Sequence, residues 1–182
     1  MPKKRKKIDT SKMTKAQVER LSKRSAQKLI LGTDKLKSRG HSGWYKSQRL
    51  NKYFKFKSSI EMNVMKTLDE AADYIVDFDT EQFMIPYTYY EGPSAITFNY
   101  VPDFVLKTVN GKTFVVEVKP VSQFDDPKNV AKWDAAKQWC WRQGAKFLVV
   151  SEKDWPKTIQ ILKCLEDNNI SDANKLLEWK LI

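Results

Sequence analysis

Apolar and polar positions divide the chain into a weakly patterned start and a strongly patterned body. Val18, Leu21, Ala26, Leu29 and Ile30 form a partial stripe that predicts a helix over 11–31. Ser11 or Thr14 can cap it, and Gly32 can stop it. Residues 32–51 carry Gly32, Gly40 and Gly43 with little periodicity and read as a loop. His41, the only histidine, lies there and reads as exposed. The body begins near Asn51, with a short strand over 53–56. Ser58 or Ser59 then caps a helix to about residue 73, striped by Glu61, Met65, Leu68 and Ala72. An acid thus lies in line with the apolar stripe. At a stripe edge such a carboxylate bends to water; it is also how a fold delivers a carboxylate into a cleft.

Strands are predicted over 74–78, 82–90 and 96–100, with a turn at Glu91-Gly92-Pro93-Ser94. Two more, 104–109 and 113–118, flank Asn110-Gly111, a strong hairpin signal. After Pro120, the loop with Asp125, Asp126 and Pro127 precedes a helix to about residue 143, stopped by Gly144. An apolar strand over 146–151 and helices over 155–168 and 171–179 complete the chain. This order predicts an α/β fold: a mixed central β-sheet flanked by helices, with a basic helical N-terminal extension. Trp133, Trp139 and Trp141 share one helical segment and read as core or rim.

The length of 182 residues fits one domain with an appendage. The two cysteines, Cys140 and Cys164, are too few for a disulfide scaffold and fit a reducing compartment. No apolar run approaches the ~20 residues of a membrane span, and no secretory signal is legible. Cytoplasmic localisation, inside a host cell, is therefore expected, with virion or nucleus as alternatives.

Charge changes the picture most. Residues 1–57 hold 19 Lys and Arg against 3 acids, while residues 58–182 hold 14 against 19, within a net charge of +11. A basic arm joined to a mildly acidic body points to a polyanion, most often nucleic acid. The expected division is an arm over 1–43 and a body over 44–182. The arm would grip DNA phosphates through Lys3, Lys4, Arg5, Lys6 and Lys7, and through Arg20, Lys23 and Arg24 on its helix. The first run also reads as a nuclear localisation signal.

The candidate chemistry is the convergence of Pro102-Asp103, Glu117-Val118-Lys119 and the upstream Glu61. Strand alternation puts Val115, Glu117 and Lys119 on one face and Val116 and Val118 on the other, which reads as one buried face and one opening to a cleft. The hairpin turn decides where Asp103 stands. A two-residue turn pairs positions summing to about 221 and sets Asp103 against Val118. A three-residue loop, Val109-Asn110-Gly111 with Gly111 left-handed, pairs positions summing to about 220. Asp103 then faces Glu117, close enough for both carboxylates to share a cation. Such hard oxygen donors suit Mg²⁺, or Mn²⁺ as a substitute, and not zinc. Lys119 would stabilise charge developing on a phosphodiester or orient a water.

These residues resemble the PD-(D/E)xK nuclease superfamily, and within it TnsA-like transposase endonuclease domains and head-completion nucleases of tailed phages. The similarity runs over about 44–153. It includes Trp44-Tyr45-Lys46-Ser47, Ser58-Ser59-Ile60-Glu61, Glu81-Gln82-Phe83, Tyr100-Val101-Pro102-Asp103-Phe104, Glu117-Val118-Lys119-Pro120 and Lys132-Trp133-Asp134-Ala135-Ala136. The resemblance implies a restriction-endonuclease-like fold with Glu61, Asp103 and Glu117 as metal ligands, Lys119 as catalytic lysine, and Gln82 beside the site or on DNA. It implies a Mg²⁺-dependent DNA endonuclease of phage or mobile-element type. Its partner is DNA, and double-strand cutting would call for a homodimer; dependence on a further protein partner is not legible. The rival is a non-catalytic or structural DNA-binding protein that keeps the nuclease fold.

Overall fold

A computed structural model describes residues 42–177. The basic helix expected over 11–31, the arm lysines and arginines, and His41 lie outside the described residues.

Local sequence explains each element near the site. Ser58 caps helix α1 (Ser59–Glu70) by accepting the Glu61 N–H, and Met62, Val64, Met65 and Leu68 form its buried stripe. The hairpin of β6 (Phe104–Thr108) and β7 (Thr113–Val118) pairs Phe104 with Val116 and Lys107 with Thr113, the register of the three-residue loop. Gly111 takes φ +75 there, so the left-handed position falls on the residue without a Cβ. Strand β8 (Lys146–Val150) pairs parallel to β7, and helix α2 (Pro127–Arg142) makes the crossover that a parallel pair requires. With β3 (Ile75–Thr80) antiparallel to β6, the central sheet runs β3-β6-β7-β8 and is mixed. This is the predicted α/β architecture. No helix among the described residues is long and apolar enough to cross a membrane.

Two layers cover the sheet. On one side, α1, α3 (Thr158–Glu166) and α4 (Ile170–Leu176) share a core with Phe78, Phe104, Phe114, Val116 and Leu148. On the other, α2 packs against the ribbon of β4 (Ile85–Glu91) and β5 (Ser94–Tyr100) through Ile85, Tyr87, Tyr100 and Ala136. Trp133 is buried, with an edge contact to Phe124, and Trp139 stacks on Phe83; Trp141 is 82% exposed. The expected open face of β7 is therefore closed: Val115, Val116, Glu117 and Val118 are all buried.

The loop expected over 32–51 is also corrected. Gly43–Ser47 forms β1, antiparallel to β2 (Lys52–Phe56). Phe54 and Phe56 enter the core, while Tyr45 and Ser47 hydrogen-bond to Asp69 of α1 at 2.7 and 2.6 Å. The turn between them carries Arg49, which donates to the carbonyls of Leu68, Asp69, Ile75 and Val76. These carbonyls lie at and beyond the end of α1, so the guanidinium acts as a C-terminal cap. At Gly43, an added Cβ would lie 2.7 Å from the buried Phe56 ring. Gly43→Ala is expected to cost about 1–3 kcal/mol by overpacking. Urea midpoints check this, and Phe56→Leu in the same chain should recover part of the loss.

Candidate active site

Asp103, Glu117 and Lys119 come together at the ends of β6 and β7. One step beyond the last ladder pair, Phe104–Val116, the register sets Asp103 across from Glu117. The Asp103 Oδ2 accepts the Val118 N–H at 2.8 Å, which anchors the carboxylate to the neighbouring strand. Lys119 continues β7, with its N–H donated to the Val150 carbonyl.

Glu117 is 1% exposed and receives three donors. Its Oε1 accepts from Lys119 and Lys132 Nζ, each at 2.8 Å, and its Oε2 accepts from the Tyr100 hydroxyl at 2.7 Å. Lys132 Nζ also stands 4.8 Å from the Tyr100 ring centroid. Lys132 and Tyr100 were not among the expected site residues. A signal existed for the first: Lys132, Ala136 and Cys140 follow one another at helical spacing, which sets a lysine on the inward stripe of α2.

The electrostatics separate the two carboxyls. Burial pushes Asp103 up, the Glu117 charge adds to it, and Lys119 and the Val118 N–H only partly oppose them, leaving it at about 7. Burial also opposes the charge on Glu117, but Lys119 and Lys132 outweigh it and hold this carboxyl below its ordinary value. Burial disfavours the Lys119 ammonium, yet Glu117 and Asp103 outweigh it and raise the amine. The Tyr100 phenol is raised by burial and by the Glu117 charge. The two neighbouring carboxyls are thus pushed in opposite directions, Asp103 up and Glu117 down.

Glu61 stands at the rim. Its charge acts on both Asp103 and Lys119, but its Oε2 accepts the Lys57 N–H at 2.8 Å while its own N–H goes to Ser58 Oγ. This is a capping-box arrangement shifted by one residue. Lys57 in turn is ion-paired with Glu81. Gln82 is exposed and donates to the Thr80 carbonyl at 3.4 Å, with no hydrogen bond to the other candidates. Among the described residues, no three His, Cys, Asp or Glu side chains are grouped closely enough to hold a metal ion. The donors that do meet, Asp103 and Glu117, are carboxylates, and their mutual repulsion is what a hard cation relieves. Cys140 is buried and its thiol is pushed up to about 12 by that burial, so it is inert.

No curated protein matches the chain. A family model does. Residues 72–152, which include Asp103, Glu117, Lys119 and Lys132 but not Glu61, match that of TnsA-like endonuclease N-terminal domains, so this segment is similar to that nuclease family.

Proposed function

We propose that the chain is a divalent-metal-dependent DNA endonuclease that hydrolyses phosphodiester bonds, of phage or mobile-element type. The observation that carries this reading is the meeting of Asp103, Glu117 and Lys119 at the ends of two central strands, within a segment that matches a nuclease family model. Asp103 and Glu117 would hold Mg²⁺ or Mn²⁺, with Glu61 completing the set by turning from its cap. The cation would supply charge at the scissile phosphate and a more acidic bound water. Lys119 is paired with Glu117 and keeps a side chain that is partly exposed, so it could donate to a phosphate oxygen or orient the attacking water. Lys132 keeps Glu117 ionised from behind. The arm, 1–43, would add phosphate contacts through its lysines and arginines.

Supercoiled plasmid in low salt with Mg²⁺ or Mn²⁺ tests this. Wild type is expected to nick or linearise it. Asp103→Ala and Lys119→Ala should each lose on the order of 10²–10³ in rate or more, with DNA binding retained. Unchanged cutting by Asp103→Ala would sink the assignment. Absence of cutting by wild type, with DNA binding intact, would favour the second reading: a DNA-binding protein that keeps the nuclease fold. The engagement of both Glu117 oxygens by Lys119, Lys132 and Tyr100 is the observation on that side.

A further inference from the structure

The β1–β2 ribbon carries a feature that the nuclease reading does not use. Antiparallel pairing sets Trp44 beside Lys55 and Lys46 beside Tyr53. Tyr45, Ser47, Phe54 and Phe56 occupy the inner face, so these four side chains share the outer one. Trp44 is 43% exposed and Tyr53 42% exposed. Lys46 Nζ stands 5.4 Å from the Tyr53 ring centroid. The result is a quartet in which two half-exposed rings alternate with two cations, with Lys46 over one face of Tyr53.

The charges on this ribbon are sorted. Residues 43–57 contain five Lys and Arg and no acid. Three of the five are already engaged within the fold. Arg49 caps α1, Lys52 pairs with Asp77 and Asp79, and Lys57 pairs with Glu81. The remaining two, Lys46 and Lys55, have no carboxylate partner among the described residues, and they are the two that flank the rings. The inner face is tied to α1 by Asp69 and Arg49, so the outer face is presented on a rigid support.

We propose that this outer face is a stacking platform for unpaired nucleotides of a DNA strand. Ring faces of this kind stack on bases whose own faces are free, and those of a closed duplex are covered by their neighbours. The two ammonium groups beside the rings would meet phosphates of the bound strand and make binding salt-dependent. The platform leads to the candidate site. Lys57, two residues beyond Lys55 and ~7 Å along the strand direction, donates its backbone N–H to Glu61. A strand held on Trp44 and Tyr53 would thus pass from the platform toward Asp103. Strand binding stands apart from cleavage and is measured in EDTA, so failure of one leaves the other intact.

The experiment uses the full chain, EDTA and fluorescein-labelled oligo(dT), beside a duplex of the same length, read by anisotropy. Trp44→Ala with Tyr53→Ala is expected to weaken oligo(dT) binding by about 10-fold or more, since each stacked base is worth ~1–3 kcal/mol. Duplex affinity should change by less than about 2-fold, because it depends on phosphate contacts. Trp44→Phe should keep most of the single-strand affinity. Lys46→Gln with Lys55→Gln should lower the salt slope for oligo(dT) by about 1.4, as loss of two phosphate contacts requires. Unchanged oligo(dT) binding in the alanine pair, or equal losses for strand and duplex, overturns the proposal. If the alanine pair fails to fold, the outward lysine pair decides: an unchanged salt slope overturns it.

Discussion

Glu117→Ala is expected to destabilise the metal-free protein by about 3–5 kcal/mol, because it strands two ammonium groups in the interior. Lys119 and Lys132 both meet Glu117 Oε1 at 2.8 Å, with side chains only 24% and 12% exposed. The Tyr100 hydroxyl loses its acceptor at the same time. Urea unfolding in EDTA at neutral pH measures the loss. Lys132→Met in the same chain should restore part of it, since the thioether keeps the volume and removes the unpaired charge. Additive losses would show that Glu117 and Lys132 do not act as a pair. The consequence for function is practical: a cleavage defect in Glu117→Ala would mix lost chemistry with lost folding, so its rates must be compared on folded protein.

Asp103→Asn is expected to act in the opposite direction and to stabilise the metal-free protein. Burial and the neighbouring Glu117 push the Asp103 carboxyl up to about 7 from an ordinary value of 3.8. Its contribution to stability is therefore complete below pH 3.8, falls as pH rises, and is lost above about pH 7. Asparagine keeps an acceptor for the Val118 N–H and does not ionise. Its advantage should be absent near pH 4, grow through the interval, and level off at about 2–4 kcal/mol above pH 7. Thermal or urea unfolding across pH in EDTA tests the profile; a flat difference would remove the like-charge argument. Ca²⁺ or Mg²⁺ should reverse the order. The proposed cation would raise the melting temperature of wild type with the logarithm of its concentration above its dissociation constant and leave Asp103→Asn nearly unmoved.

The architecture was legible wherever a pattern closes locally. Asn110-Gly111 and the alternation on either side placed β6 and β7, and the pairing of Lys107 with Thr113 decides between the two turn lengths. Pro127 after Asp126, and Gly144 after Gln143, bracketed α2 for the same reason. Strand β1 escaped because its two inward residues, Tyr45 and Ser47, are held by hydrogen bonds to Asp69, twenty-odd positions away, and not by an apolar alternation. Closure over Glu117 escaped because it is a tertiary event. Tyr100 and Lys132 reach it from β5 and α2, elements whose packing only the fold sets. Glu61 was correctly read as an acid in line with an apolar stripe, yet its carboxylate turns to the chain entering the helix, a use that its position near the N-terminus of α1 permits.

Arg49 has a consequence for motion. Its guanidinium binds carbonyls from the last turn of α1 and the start of β3, while its own segment joins β1 to β2. Three stretches far apart in sequence are thereby tied at one point. The ribbon cannot lift away without releasing the end of α1, nor can that helix end fray without freeing the ribbon. The two should open as one cooperative unit, with amide protons of β1, β2 and the last turn of α1 exchanging at a common rate. Arg49→Ala would loosen this coupling, leaving the Tyr45 and Ser47 bonds to Asp69 to join them, and the ribbon's protons would then exchange ahead of the helix.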